Sequence, residues 1–175
     1  LPILSTGDNA SALVGVDAIQ VDNGAHVTLT DEQAGVAKVK DGGGSLGSNG
    51  ALGDAGNVTI KGVASGVNLT TLTGINSGDS IEIDNAANVT LSTDQATVAK
   101  AKDGGGTLSA AGTLSDAGTV TVVMSTGDNA SALVGVDAIE IDNTANVTLT
   151  TAQAGVAKAK DGGGTLSAAG TLSDA

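Results

Sequence analysis

The segment DNTANVTLTTAQAGVAKAKDGGG, residues 142–164, decides the fold because the chain contains it three times in nearly the same form. The other copies are Asp22–Gly44 and Asp84–Gly106, so the starting residues lie 62 and then 58 positions apart. A second segment, STGDNASALVGVDAI, is identical at 5–19 and 125–139. Self-similarity at such a period is the signature of repeat architectures, in which each repeat packs on its neighbours.

Three repeats are therefore predicted, as parts of one continuous array. Their boundaries are 1–56, 57–118 and 119–175. The middle repeat is four residues longer by the spacing of the copies, and the insertion falls near residues 62–77, outside the repeated segment.

The two ends of the chain fit the same period. Leu1 aligns with Thr121 and Ala175 aligns with Ala117, so only the equivalents of residues 118–120 are missing from a whole number of repeats. The sequence shows no polar capping segment, although repeat arrays need one to protect their end strands. We expect either a unit that continues end to end or a length of a longer array.

The composition favours a thin core of small aliphatic side chains. The 175 residues include 27 Gly, one Met and no Phe, Tyr, Trp or Cys, so Val, Ile, Leu and Ala must form the interior. The net charge is −12. A field of that sign repels phosphate groups, which argues against nucleic-acid binding and against docking on anionic lipid. No apolar run approaches the ~20 residues that a membrane-spanning helix needs.

A capping box marks the start of a short helix in each copy. In the third copy, Thr150 and Gln153 have the spacing at which a hydroxyl and an amide satisfy each other's free backbone N–H groups. This predicts a helix over Ala152–Lys160 that Gly162 ends. The two lysines of that range would lie in its last turn, where positive charge favours the helix dipole. The equivalent pairs are Thr30 with Gln33 and Ser92 with Gln95.

Clusters of β-branched residues around each predicted helix are typical of short strands. In the third copy these are Val120–Val123, Ile139–Ile141 and Val147–Leu149. No Asn-Gly hairpin turn links two clear strands, which favours parallel pairing. We therefore predict a mainly β fold, a repeat β-solenoid similar to a parallel β-helix with one short capped helix per repeat. A leucine-rich-repeat-like α/β solenoid is the alternative.

Residue types that catalysis needs are scarce. His26 is the single histidine and occupies the position that Asn88 and Asn146 hold in the other copies, which favours a surface turn residue. Without a repeated histidine as base, the many hydroxyls do not form a hydrolase triad. The DGGG runs lack the Lys-Ser/Thr of a phosphate-binding loop and are interpreted as helix stops. The chain is therefore predicted not to be an enzyme.

Calcium binding is the one site hypothesis that the sequence offers. Oxygen ligands of the kind that Ca²⁺ prefers recur in each copy of the opening segment. The competing interpretation is that these Asp and Asn side chains bond to their own backbone at corners of the chain. The strict calcium nonapeptide GGxGxDxUx is absent. The candidate ligands are Asp22, Asp84, Asn88, Asp142 and Asn146.

The motifs VTLT-x-x-QA and D-A-I-x-I-D, with an acidic composition free of Cys and Arg, resemble tandem repeats of giant secreted surface proteins of bacteria, including adhesins of the RTX kind. The resemblance covers essentially the whole chain. It implies extracellular, non-enzymatic work at the bacterial surface, in a filament, a sheath or a surface layer. The expected partners are copies of the chain or adjoining repeats of a longer one. The alternative is an adhesin or carbohydrate-binding stalk module, stabilised by calcium, that binds cell-surface glycans.

Overall fold

The computed structural model describes residues 1–175, and in it short strands alternate with three helices that each follow directly on a strand or run directly into one. The elements are β1 (Ile3–Leu4), β2 (Ile19–Val21), β3 (Val27–Thr30), α1 (Asp31–Val36), β4 (Ala37–Val39), β5 (Val58–Val63), β6 (Val67–Asn68), β7 (Ser80–Ile83), β8 (Val89–Ser92), α2 (Thr93–Val98), β9 (Ala99–Ala101), β10 (Val120–Met124), β11 (Ala138–Ile141), α3 (Thr151–Val156) and β12 (Ala157–Ala159).

Every strand pair is parallel, as the lack of hairpin turns predicts. The strands form three sheets with the orders β1-β2-β4, β3-β5-β7-β9 and β6-β8-β10-β11-β12. Strand β10 shows how the repeats are joined. It pairs with β11 of its own repeat on one side and with β8 of the preceding repeat on the other, so that Val122 lies between Ile139 and Leu91.

The predicted fold class is wrong. The chain is an α/β fold with twelve strands in three parallel sheets and three short helices. Neither the mainly β solenoid nor the leucine-rich-repeat-like alternative describes it. The prediction extended local strand patterns into one continuous array. A period-two pattern identifies a strand and its buried face, but it does not identify the partner strand. Here β3 pairs with β5 of the next repeat while β4 pairs back with β2, so neighbouring strands enter different sheets.

The core is made of small aliphatic side chains, as the composition predicts. A single cluster of 35 buried residues runs through the molecule. Along β10, the buried residues Val120, Val122 and Met124 alternate with the half-buried Thr121 and Val123. This alternation is the pattern of a strand with one face on a core. The interior therefore continues from repeat to repeat without a boundary between separate cores.

The helices begin where the capping boxes predict. In α3, the backbone N–H of Gln153 donates to Thr150 Oγ1 (3.2 Å), and the backbone N–H of Thr150 donates to Gln153 Oε1 (2.8 Å). The same two hydrogen bonds form in α1 and α2. Each helix has only six residues, and none is long and apolar enough to cross a membrane.

The predicted ends of the helices are wrong. The third helix stops at Val156, where extended backbone at Ala157 begins β12, so Gly162 does not end it and its two predicted lysines lie beyond it. Residues Ala157–Ala159 pair with β11, so their backbone groups form sheet hydrogen bonds instead of continuing the helix. The DGGG run forms a separate turn instead. In it, Asp161 Oδ1 accepts from the N–H groups of Gly163 and Thr165, each at 2.8 Å.

Candidate functional site

Each aspartate predicted as a calcium ligand forms an ion pair with a lysine. In every repeat the lysine lies just beyond the strand that follows the helix, and the aspartate lies just beyond the strand paired with it. The lysine Nζ to aspartate Oδ1 distances are 2.9 Å for Lys40 and Asp22, 2.8 Å for Lys102 and Asp84, and 3.0 Å for Lys160 and Asp142.

Hydrogen bonds lower the pKa of two of these carboxylates. The hydroxyl of Ser125 donates to Asp142 Oδ2 (2.7 Å), and this bond, followed by the one from Lys160, holds the pKa of Asp142 below its ordinary value of 3.8. The pKa of Asp22 is lowered in the same way, with the hydrogen bond from Lys40 as the larger cause. Both oxygens of each carboxylate are therefore already engaged.

Of the two asparagines predicted with them, Asn88 contacts the next repeat instead of an aspartate. Asn88 Oδ1 accepts from the backbone N–H of Thr119 in the next repeat (2.7 Å). His26, at the equivalent position, does the same with Nδ1 and the N–H of Asn57 (3.0 Å). The side chain of Asn146 makes no hydrogen bond within the chain. His26 is exposed, as predicted, but the sequence analysis missed its bond to the following repeat.

These donors do not fit a calcium site. Ca²⁺ takes six to eight oxygen ligands at roughly 2.3–2.6 Å, whereas a lysine ammonium group already contacts each of the three aspartates. The chain contains no cluster of three or more Asp, Glu, His or Cys side chains that could hold a metal ion. We therefore give calcium no part in the mechanism.

Acid is expected to destabilise the fold through these carboxylates. The pKa values of Asp22 and Asp142 are lowered in the folded chain, and backbone N–H groups of Thr107 and Gly105 also lower the pKa of Asp103, in the second DGGG turn. The contribution of these three groups to stability is therefore present above 3.8 and is lost as the pH falls through the folded pKa values. The melting temperature, followed by circular dichroism, should fall below pH 3.8 more steeply in the wild type than in Asp142→Asn. Equal slopes in the two proteins would contradict this assignment.

The three sheets have six terminal strands, and two surfaces near the ends of the chain are equivalent to surfaces that meet between repeats inside the molecule. We call the first the head edge, Leu1–Leu4 with Leu13–Val14. Strand β1 is equivalent to β10 but pairs on one side only, with β2. The second is the tail edge, Asn146–Thr150 with Gly170–Leu172. The strand predicted at Val147–Leu149 does not form there, and only Thr148 is paired, with Asn129 on the inner side.

Exposure of equivalent residues shows what the head edge lacks. Leu133 is 7% exposed, because it packs against Gly112 at the end of the second repeat. Leu13, its equivalent in the identical segment, is 46% exposed. Val134 donates its N–H to the carbonyl of Gly112 (2.9 Å), whereas the equivalent N–H of Val14 makes no hydrogen bond. The head edge is thus an internal contact surface without its counterpart.

The tail edge lacks the complementary half. Leu114 is fully buried, and its N–H donates to the carbonyl of Val134 (2.7 Å). Its equivalent Leu172 is only half-buried. Val89 and Leu91 of β8, which has β10 as its neighbour in the sheet, are likewise buried, while their equivalents Val147 and Leu149 are half-buried. The same backbone and side-chain groups therefore occur here without a partner.

A glycine at the contact between repeats gives a further measure of how closely they pack. A methyl group on Gly135 would lie 2.6 Å from the Cα atom of Ser115 in the preceding repeat. The equivalent Gly15, at the head edge, has nothing within 4 Å of that position. The head edge thus has the shape to receive another repeat at close range.

No family model, curated protein or solved structure matches this chain. The grooves on the surface of the molecule offer little to a small ligand. The largest groove has a volume of about 590 Å³ and lies beside α1, where Leu13 and Val14 of the head edge form part of its wall. The head edge and the tail edge are surfaces whose residues are more exposed than their equivalents inside the molecule.

Proposed function

We propose that the chain is a non-enzymatic structural repeat protein that self-associates, outside the cell on a bacterial surface, into a filament, a sheath or a surface layer. The observation that carries this proposal is the complementarity of the two open edges. Inside the molecule, the surface equivalent to the head edge packs on the surface equivalent to the tail edge. There, β10 pairs with β8, and Val134 forms a bridge with Thr113. The extracellular location rests on the resemblance of the repeated motifs to bacterial surface proteins.

The open edges offer backbone groups as well as apolar surface. An edge strand with free N–H and C=O groups is a template for another chain unless charge, proline or a covering segment blocks it. Pro2 lies in the head edge but does not block it, because the carbonyls of Pro2 and Leu4 accept from the N–H groups of Gln20 and Asp22 in or beside β2. Backbone groups alternate along a strand, so those of Ile3 face outward.

A second candidate function is glycan binding by an adhesin module. A groove of about 330 Å³ between the second and third repeats is lined by hydroxyl and amide side chains, which are the groups that bind sugars. Thr90 and Thr121 are register partners in its floor, and Asn88 and Thr119 lie beside them. A screen of the purified chain on immobilised glycans tests this candidate. Glycan binding by a chain that stays monomeric would favour it over self-association.

Self-association should strengthen with protein concentration and with salt. Each copy carries a net charge of −12, so copies repel one another at low ionic strength. Salt shortens the screening length from ~10 Å at 0.1 M to ~3 Å at 1 M, which removes most of that repulsion while the apolar contacts remain. Sedimentation velocity should show larger species at high salt, and electron microscopy should show filaments or sheets. A monomer under all these conditions would contradict the proposed function.

A further inference from the structure

We infer that self-association is a head-to-tail addition of parallel strands, in which β1 of one copy pairs with Val147–Thr150 of a second copy. In the same contact, Leu13–Val14 of the first copy packs on Gly170–Leu172 of the second. This inference rests on the proposed function and specifies the surface, the partner and the register. The partner is a second copy of this chain.

The register follows from the pairing between the second and third repeats. There, β10 lies beside β8 with Thr121 opposite Thr90 and Val123 opposite Ser92. The head edge is equivalent to β10 and the tail edge is equivalent to β8, so the same pairing can form between two copies. It places Leu1 opposite Thr148, Pro2 opposite Leu149 and Ile3 opposite Thr150.

Backbone groups on the tail edge point the right way for this pairing. The N–H of Thr148 donates to the carbonyl of Asp128, and the carbonyl of Thr148 accepts from the N–H of Ala130, so both groups of Thr148 face inward. The groups of Val147 and Leu149 therefore face outward, by the alternation of a strand. Inside the molecule the equivalent N–H of Val89 donates to the carbonyl of Thr119 (3.0 Å). Thr119 aligns with a position before Leu1, so in the proposed register the N–H of Leu149 would donate to the carbonyl of Leu1 and the N–H of Ile3 to the carbonyl of Leu149.

A second row of bonds reinforces the first. Thr113 and Val134 form a parallel bridge between the second and third repeats. Their equivalents across two copies are Thr171 of the tail edge and Val14 of the head edge, and both are exposed in the single chain. Close approach is possible there, since nothing lies within 4 Å of a methyl group on Gly15.

The geometry of this contact determines the form of the assembly. Head and tail are different surfaces, so the contact is heterologous and every added copy leaves a new tail or head exposed. Such contacts give rings when the rotation closes and open filaments when it does not. The contact between repeats inside the chain repeats without closing, which favours a filament.

A pair of matched leucine variants tests the inference. Leu13, in the head edge, and Leu46, which lies beside Lys40 and outside both edges, are each 46% exposed. Leu13→Asp should weaken self-association about tenfold or more, because it brings a charge against Gly170 and the apolar tail edge. Leu46→Asp makes the same chemical change and adds the same charge, so it should associate like the wild type. Sedimentation velocity at 1 M salt measures both proteins, and circular dichroism checks that each is folded.

The outcomes separate this inference from the proposed function. If the wild type stays monomeric, both fail. If the wild type associates and Leu13→Asp associates equally well, the head-to-tail contact is overturned while self-association stands. If Leu13→Asp does not fold, Val14→Pro replaces it. That substitution removes an N–H that makes no bond within the chain but that would donate to the carbonyl of Gly170 in the second copy. Undiminished association of a folded Val14→Pro would equally overturn the contact.

Discussion

Replacing Gln95 by leucine is expected to lower the free energy of unfolding by about 3–5 kcal/mol. The side chain is 1% exposed and ties the start of α2 to the Leu69–Leu72 segment. Its Oε1 accepts from the N–H of Ser92 (2.9 Å), and its Nε2 donates to the carbonyls of Leu69 (2.6 Å) and Leu72 (3.1 Å). Leucine has a similar size but leaves the N–H of Ser92 and the carbonyl of Leu72 without these partners, at about 1–3 kcal/mol each. The carbonyl of Leu69 keeps only its bond from the N–H of Leu72.

Urea unfolding followed by circular dichroism measures this loss. Gln153→Leu is the matched control, because Gln153 makes the same bonds, to the carbonyls of Ala130 and Leu133, but is 7% exposed in the repeat whose outer edge is open. Water can satisfy part of what the substitution frees there, so the loss should be smaller. A loss below about 1 kcal/mol for Gln95→Leu would show that these bonds do not hold α2 on the Leu69–Leu72 segment of the same repeat.

The second large effect is expected for Gly135→Ala, which should lower the free energy of unfolding by about 2–5 kcal/mol. Two terms contribute. The backbone φ of +77° costs a non-glycine residue about 1–2 kcal/mol. The added methyl group also meets the backbone of Leu114 and Ser115, 2.7 Å from the carbonyl carbon of Leu114. Backbone cannot move aside as a side chain can, so the repeats must separate at an additional cost of about 1–3 kcal/mol.

Gly15→Ala separates the two terms. Gly15 has the same surroundings in sequence and a similar φ of +68°, but nothing lies within 4 Å of a methyl group added to it. It should therefore show only the backbone cost of about 1–2 kcal/mol. The difference between the two variants, measured by urea unfolding at a concentration where the chain is monomeric, reports the contact between repeats. Equal losses in the two variants would mean that the second and third repeats are not packed as described.

The elements that the sequence predicts correctly are those with local causes. A capping box needs only residues three positions apart, so the start of each helix could be predicted from Thr150 with Gln153 and its equivalents. Burial of Val120, Val122 and Met124 follows from alternation along one strand. The helix ends could not be predicted, because extended backbone at Ala157 depends on pairing with β11. The fold class failed for the same reason, since local patterns do not identify partner strands, as when β3 pairs with β5 of the next repeat and β4 pairs with β2.

The candidate site was predicted in part by residue type and missed in its contacts. The aspartates were selected as oxygen ligands, but each has a lysine 18 residues further along the chain that contacts it, as Asp22 has Lys40. That constant spacing is a signal that the sequence contains. The role of Asn88 is less accessible, because its partner Thr119 lies 31 residues away in the next repeat. His26 occupies the equivalent position in the first repeat, which indicates only that a hydrogen-bond acceptor is required there.

Disulfide trapping between two single-cysteine variants tests the head-to-tail contact most directly. The chain has no cysteine, so only introduced thiols can react. Val14→Cys and Thr171→Cys would be neighbours across two copies, as Val134 and Thr113 are inside one. Neighbouring strands lie about 4.8 Å apart, within the ~4.4–6.8 Å that a disulfide spans between Cα atoms. Mixing the two variants under mild oxidation should give the mixed dimer much faster than mixing Val14→Cys with Leu46→Cys, whereas equal rates for the two mixtures would contradict the contact.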